Sequence, residues 1–415
     1  NVTSFSKLPE FTNIINAIKL TGTTRNGISV GILQSTTQRE TARVTADGFE
    51  TRQVVEPLTN FLVARVQKIA NKGNTQLGTM FTSTNRITDE PHLSYLNRNA
   101  ITAGVDFLQY TKNREYFVDF KGIISRIDGK EEAMLSLQRN ALHYFQRPDA
   151  AGYLGVDSSR RSLTGTGGYL TLGRQGNKRF IFSEKVSWWS PEFDLNDAGY
   201  LLMADLVQNQ TKLSYRQTEP KRLLRNYTLT LAQNNSWNYG STITYRDISA
   251  QFITQFSNRW DITAIESYVF SELSTRLLRG GPAFRLSPYW QNSLSFNTDK
   301  SRRVVFRFNN TSTASTDGIS RRFMIKPGMS FRLGNHIIIQ NDIEYTRNTD
   351  NFIYVTQKTA DAELQYLMAR IKQKTYNFTL RVNYNITPDI SIQYYGSPFV
   401  SSGIYSDFKR ANDAG

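Results

Sequence analysis

The chain reads as an all-β protein, a large antiparallel barrel of the kind that crosses an outer membrane, and three observations point there. The first is a two-residue alternation. Phe378, Leu380, Val382, Tyr384 and Ile386 are apolar, while Thr379, Arg381, Asn383 and Asn385 between them are polar. Phe323, Ile325, Met329, Phe331 and Leu333 repeat the pattern, with Lys326, Ser330 and Arg332 opposite. Successive side chains of a strand point to opposite faces, so each such segment is apolar on one face and wet on the other. The second observation is that these segments are joined by short polar turns and a few long loops, the arrangement of transmembrane barrels. The third is that no stretch approaches the ~18 consecutive apolar residues of a spanning helix. Barrel strands escape that requirement because lumen-facing residues dilute their hydropathy. An open edge facing hydrocarbon leaves backbone groups unpaired at several kcal/mol each, so such strands are expected to close on themselves.

Composition narrows the function. The chain has 415 residues, a net charge of +15 and an apolar fraction of 39%, with a mean hydropathy of −0.46. It has no cysteine, which excludes disulfides, thiolate metal sites and cysteine nucleophiles. His92, His143 and His336 are too few and too scattered for a histidine metal cluster. No cofactor is implied. Lys and Arg are spread through strands and turns with no long cluster and no recognition helix, which argues against nucleic acid. Residues 1–415 show no linker and no composition shift, so one domain is expected. No charged-then-apolar leader opens the chain, so any export signal is expected to have been removed or to lie outside it. A soluble propeller or sandwich also alternates, but a propeller would repeat every ~40–50 residues and no repeat is visible.

Taken in order, the chain reads as roughly 18 strands. Residues 14–23 and 27–36 make a hairpin across Thr24-Arg25-Asn26-Gly27, where Asn-Gly is a strong turn signal. A long connection, 37–59, follows, then strands over 60–69, 76–87, 100–110 and 116–127. A second connection, 128–164, holds the best helix candidate, capped by Asp128, with Glu131 and Glu132 in its first turn and Ala133 to Tyr144 as its body. Strands over 168–175 and 178–189 come next, then a loop over 190–201 rich in Asp, Asn and Pro. The remaining strands are read over 204–217, 223–233, 242–256, 260–270, 284–297, 303–313, 321–333, 336–347, 363–386 and 390–397. Segments 352–358 and 364–371 form a hairpin expected to project beyond the membrane. Pro327 cannot donate to a ladder, so a bulge is expected there.

Several residues are candidates for function. The inward set Lys19, Arg65, Lys121, Arg246, Arg307, Lys326, Arg332 and Arg381 would make a basic lumen favouring anionic solutes. Alternatively these cations pair with Asp106, Asp119, Asp342 and Glu344 and only fill a wet interior. Trp188, Trp189, Trp237, Trp260 and Trp290 suit an interfacial aromatic girdle. His143, Gln146, Arg147 and Asp149 read as a staple holding the 128–164 loop into the barrel mouth. The sharper alternative is a membrane-embedded hydrolase using that loop, with Ser136, Ser158 or Ser162 as nucleophile, although no Gly-x-Ser-x-Gly elbow occurs. Asp194, Asn196 and Asp197 have calcium-like spacing, with Asp205 at the twelfth position, but Ala198 interrupts the set. Gly165-Thr166-Gly167-Gly168 lacks the lysine and helix of a phosphate loop and reads as a strand-entry turn.

Five phrases carry a resemblance. They are Ala17-Ile18-Lys19-Leu20-Thr21-Gly22, Val55-Glu56-Pro57-Leu58-Thr59-Asn60, the run from Tyr144 to Ala150, the run from Ser190 to Asp197, and the run from Thr387 to Phe399. Together they resemble a Bacteroidota outer-membrane barrel family known as domain of unknown function 5916, usually found behind a family 9 carbohydrate-binding module. The resemblance implies the outer membrane of a Gram-negative bacterium. It also implies that the binding module and the last strands are missing, with Tyr405 to Lys409 leading into a terminal loop. The expected function is a non-enzymatic channel or transport component, or a subunit of a larger envelope complex. Its expected partners are outer-membrane lipid, neighbouring outer-membrane or periplasmic proteins, and a glycan or anionic solute.

Overall fold

Alternation of apolar and polar residues over nearly the whole chain leaves little room for helices, and the computed structural model describes residues 4–46, 49–334, 336–360 and 363–411 as strands joined by turns. In chain order these are β1 (Ser4–Lys7), β2 (Ile14–Thr23), β3 (Ile28–Thr37), β4 (Glu40–Ala46), β5 (Phe49–Glu56), β6 (Thr59–Ala70), β7 (Thr75–Arg86), β8 (Asn99–Tyr110) and β9 (Tyr116–Asp128). The helix α1 (Glu131–Arg139) follows, then β10 (Ser162–Arg174), β11 (Phe180–Trp189), β12 (Leu206–Gln217), β13 (Leu224–Trp237), β14 (Ile243–Phe256) and β15 (Asp261–Ser274). The chain continues with β16 (Phe284–Leu286), β17 (Tyr289–Asn297), β18 (Val304–Ser315), β19 (Arg321–Leu333), β20 (Ile337–Ala360), β21 (Glu363–Asn385), β22 (Ser391–Gly396) and β23 (Phe399–Ala411). Twenty of these strands belong to one antiparallel barrel sheet, and β1, β4 and β5 form a separate three-stranded sheet.

The chain divides into two compact units. The first comprises Asn1–Gly176, Glu184–Asn209 and Trp237–Thr242, and the second Asn177–Ser183, Gln210–Ser236 and Ile243–Gly415. In the first unit the ladder runs from β2 through β3, β6, β7, β8 and β9 to β10, each strand antiparallel to the next. One row across it reads Thr23, Ser29, Gln67, Gly78, Asp106, Lys121 and Tyr169, mostly polar. The next row reads Ile28, Lys68, Leu77, Phe107, Phe120 and Leu170, apolar at every position but Lys68. Register and alternation together give the sheet a polar and an apolar face. The β2–β3 hairpin closes on Gly27, whose φ of +75° suits glycine, with its N–H donating to Thr24 O at 3.0 Å.

The second unit repeats this logic. Its ladder runs from β14 through β15, β17, β18, β19 and β20 to β21, and both β22 and β23 pair with β21. Arg307, Gly328, Asp342 and Thr379 form one polar row. Phe306, Met329 and Asn341, with Ile343 and Phe378 one step along, lie on the other face, and the large apolar members Phe306, Ile343 and Phe378 are exposed.

Several expectations need correction. Connection 37–59 is not a loop: β4 and β5 pair through it, their alternation hidden because Gln53 and Thr51 of β5 stand opposite Ala42 and Val44. The helix is shorter than read and starts after Lys130, with no side-chain cap; Asp128 is the last residue of β9. It ends at Asn140, whose Oδ1 accepts from the N–H groups of Leu142 and His143 and so turns the chain. Tyr405 to Lys409 lies in β23, which pairs with β21 along that length, and the terminal loop expected after it lies outside the described residues. Pro327 sits in an unshifted register, opposite Phe308 on β18, with no bulge. The β19–β20 pairing instead skips Lys326 and Pro327, a gap on the side where the N–H is lacking. The projecting hairpin is the continuous far end of β20 and β21, paired out to Ala360 and Glu363.

Gly165-Thr166-Gly167-Gly168 lies inside β10 and is not a strand-entry turn. A Cβ on Gly165 would collide with the backbone of Phe193, and one on Gly167 with the Phe193 ring, which is fully buried. These two glycines let the 190–201 loop lie directly on β10. Replacing Gly165 by Ala is therefore expected to cost about 1–3 kcal/mol of stability, as overpacking does. Protease cleavage within 190–201 should rise while strand content by circular dichroism stays unchanged.

Candidate functional site

On the polar face three of the expected inward cations have an acid beside them. Arg65 Nη2 donates to Asp106 Oδ1 at 2.9 Å, and Arg307 Nη2 to Asp342 Oδ1 at 3.0 Å. Lys326 Nζ lies 3.0 Å from Glu344 Oε2. Lys121 stands 5.5 Å over the ring of Tyr169, whose hydroxyl donates to Asp119 at 3.1 Å. Arg381 has its guanidinium 5.2 Å over the Tyr395 ring. Lys19 is exposed on β2. Arg246 departs from the expected inward set. It neighbours the buried Asp247 in β14, so alternation turns it to the opposite face, with the exposed Ile248. Each remaining pair is half in solvent, where an ion pair contributes about 0–1 kcal/mol, so it fixes side-chain position more than stability.

The tryptophans stand at or next to strand ends. Trp188 stacks on Phe120 at 6.4 Å, Trp260 meets Phe296 edge-on at 5.4 Å, and Trp290 lies 4.7 Å from Tyr268. Trp189 and Trp237 are half-buried.

A compact loop assembly packs on the polar face of β8, β9 and β10 in the first unit. Its apolar heart is Met134, Phe145, Ala150 and Leu154 against Ala100, Ile127 and Leu163. Two buried ionic contacts hold it. Arg147, 3% exposed, donates from Nη2 to Asp205 Oδ2 at 2.8 Å, and Tyr153 O–H donates to the same oxygen at 2.7 Å. Asp205 Oδ1 accepts the Tyr239 N–H at 2.9 Å, so this carboxylate ties three segments together. Arg86 pairs with Asp197 at 2.5 Å, and Asn97 donates to both oxygens of Asp197 at 3.1 and 3.0 Å.

Of the staple read from sequence, Arg147 keeps Asp149 at 3.5 Å, but its hydrogen bond goes to Asp205, which is far along the chain. Gln146 reaches Arg139 O at 3.4 Å. His143 is 3% exposed and donates from Nδ1 to Leu137 O at 2.9 Å. Among the described residues no serine hydroxyl meets it, so the hydrolase reading loses its base. The calcium-like loop does not converge either. Asp205 and Asp197 each face an arginine, and Asp194 Oδ1 accepts the Asn196 N–H at 2.9 Å. Arg86, Tyr153 and Phe193 were not foreseen, since no local pattern announces a contact between distant loops.

Burial disfavours the charged form of both His143 and Asp194, so it shifts their titration in opposite directions. Desolvation pulls His143 down to about 4, against two backbone hydrogen bonds that favour its charged form. Desolvation pushes Asp194 up to about 6, partly offset by the Asn196 N–H. The signs oppose. A lowered folded value gives His143 a contribution present above its unfolded value of about 6.5 and lost as pH falls through about 4. A raised value gives Asp194 a contribution present below its unfolded value of about 3.9 and lost as pH rises through about 6. Asp194→Asn is thus expected to leave a loop assembly that loosens steadily on acidification, and His143→Gln one that tightens. Amide hydrogen exchange over 142–154 from pH 7 to pH 4 checks both. Asp205→Asn and Asp205→Ala both remove the counter-charge of a buried guanidinium, at an expected cost of about 3–5 kcal/mol. Trypsin sensitivity of residues 140–160 should then rise with the barrel strands intact.

Solved structures similar to the chain include an anion-selective porin from Comamonas acidovorans, 11% identical with a TM-score of 0.36, covering 79% of this chain and 91% of that one. The ferric citrate transporter FecA is 11% identical with a TM-score of 0.38, over 94% of this chain and 56% of that one. The outer membrane protein opdK from Pseudomonas aeruginosa is 9% identical with a TM-score of 0.36, over 91% and 98%. No curated protein matches the chain. The family described as "Domain of unknown function (DUF5916)" matches residues 1–415, and the chain belongs to that family.

Proposed function

We propose that the protein is a non-enzymatic outer-membrane β-barrel that lets small polar solutes pass along its polar face. One observation carries this reading: the large apolar side chains of the ladder point outward and the polar ones face in. Ile343, Phe323, Phe306 and Phe378 are exposed on one face, while Arg307, Asp342, Lys326 and Glu344 pair on the other. A soluble sheet buries its apolar face, and contiguous exposed apolar surface on this scale calls for lipid. A barrel is the sheet architecture that satisfies its backbone in hydrocarbon. The tryptophans at strand ends suit the membrane interfaces.

The polar face supports a wet passage with little net field along most of its length, because its cations are largely matched. The stapled loops on β8 to β10 support a passage that is narrowed on that side. Planar-bilayer conductance tests the reading. Small steps are expected for the native chain and larger ones for Asp205→Asn, in which the loops are released. A folded protein that stays silent in both forms would sink it. Ile343→Arg is expected to cost about 2–4 kcal/mol of folding free energy in bilayers, whereas Thr311→Arg on the polar face should cost about 0–1 kcal/mol. Urea titration in lipid vesicles reads the difference.

A further inference from the structure

In the second unit the cations of the polar face outnumber the acids around the turn between β17 and β18. A pocket of about 260 Å³ there is lined by Lys300, Arg302, Arg303, Arg307 and Arg332. Three of these cations have acids of their own. Lys300 lies 3.1 Å from Asp261, Arg302 3.4 Å from Asp299, and Arg307 3.0 Å from Asp342. Among the described residues the side chains of Arg303 and Arg332 have neither an ion pair nor a hydrogen bond. They are nevertheless held side by side, because the Arg332 N–H donates to Arg303 O at 2.7 Å across β18 and β19. Two like charges fixed together on neighbouring strands repel unless an anion lies between them.

Alternation puts both side chains on the polar side. Arg303, the residue before β18, shares the parity of Arg307, and Arg332 that of Lys326 along β19. Gln340 also lines the pocket and stands opposite Arg381 in the β20–β21 register, so a further guanidinium adjoins the group. The volume falls just below the ~300–1,000 Å³ of pockets for drug-sized ligands, which selects a small ion. Guanidinium forks match the geometry of carboxylate and phosphate oxygens, and each such bond is charge-assisted.

We propose that this pocket binds a small oxyanion, a phosphate or a carboxylate, gripped between the guanidinium groups of Arg303 and Arg332. Delivery of that anion from the solute side rests on the passage reading above; the site itself needs only the folded sheet. The test is isothermal titration of the full chain in neutral detergent with inorganic phosphate at low ionic strength. Saturable binding is expected, weakened about tenfold or more by the double variant Arg303→Gln/Arg332→Gln and by added sodium chloride. The pair Arg303→Lys/Arg332→Lys keeps the charge and loses the fork, and intermediate affinity is expected. Equal binding by the native chain and the glutamine pair, or no binding by the native chain, would overturn the site. A second arm offers nanodiscs with and without anionic phospholipid in place of free phosphate. Occupancy by headgroups alone would overturn the solute-side assignment. Phosphate binding without conductance would keep the site and remove the passage, and conductance without binding would do the reverse.

Discussion

Backbone pairing between neighbouring antiparallel strands governs nearly everything else in this protein. Each paired residue sends its side chain to the face opposite its neighbour's, so a two-residue sequence period becomes two chemically distinct surfaces. Thr23, Ser29, Gln67, Gly78, Asp106, Lys121 and Tyr169 come from seven strands and lie in one row only because the register aligns them. A slip of one residue would carry Asp106 and Lys121 to the apolar side, so the ladder also protects the placement of charge.

The loop assembly obeys a different constraint. It is packed, and its largest fully buried side chains, Phe145, Phe193 and Met134, belong to loops and helix. Burial of Arg147 is tolerable because Asp205 stands at 2.8 Å, and Asp205 is further satisfied by Tyr153 and the Tyr239 N–H. Breaking such a buried contact costs far more than its net contribution, which makes it a lock between segments more than a source of stability. Gly165 and Gly167 supply the complementary feature, a stretch of β10 without side chains on which Phe193 can rest.

Matched and unmatched charge divide the polar face into regions of different character. Arg65, Arg307 and Lys326 each have an acid within 3.0 Å, and such pairs leave little field. Around Arg303 and Arg332 the cations outnumber the acids. The excess basic charge of the chain is therefore not spread evenly over the sheet.

Sequence by itself determined the fold class, the strands with clear alternation such as 323–333 and 378–385, the Gly27 turn, and the acids available to the inward cations. These are local properties, set by side-chain period, backbone conformation and the reach of neighbouring strands. It left β4 and β5 unread because Thr51 and Gln53 blur the period, and it placed Arg246 on the inward face although Arg246 shares the parity of the exposed Ile248 along β14. Only the tertiary structure decided that Arg147 answers to Asp205 more closely than to its neighbour Asp149, that Arg86 meets Asp197, and that Arg303 and Arg332 stand together without an acid. Those contacts join residues that no short-range rule relates, and they exist only once the ladder has brought distant segments into one packed arrangement.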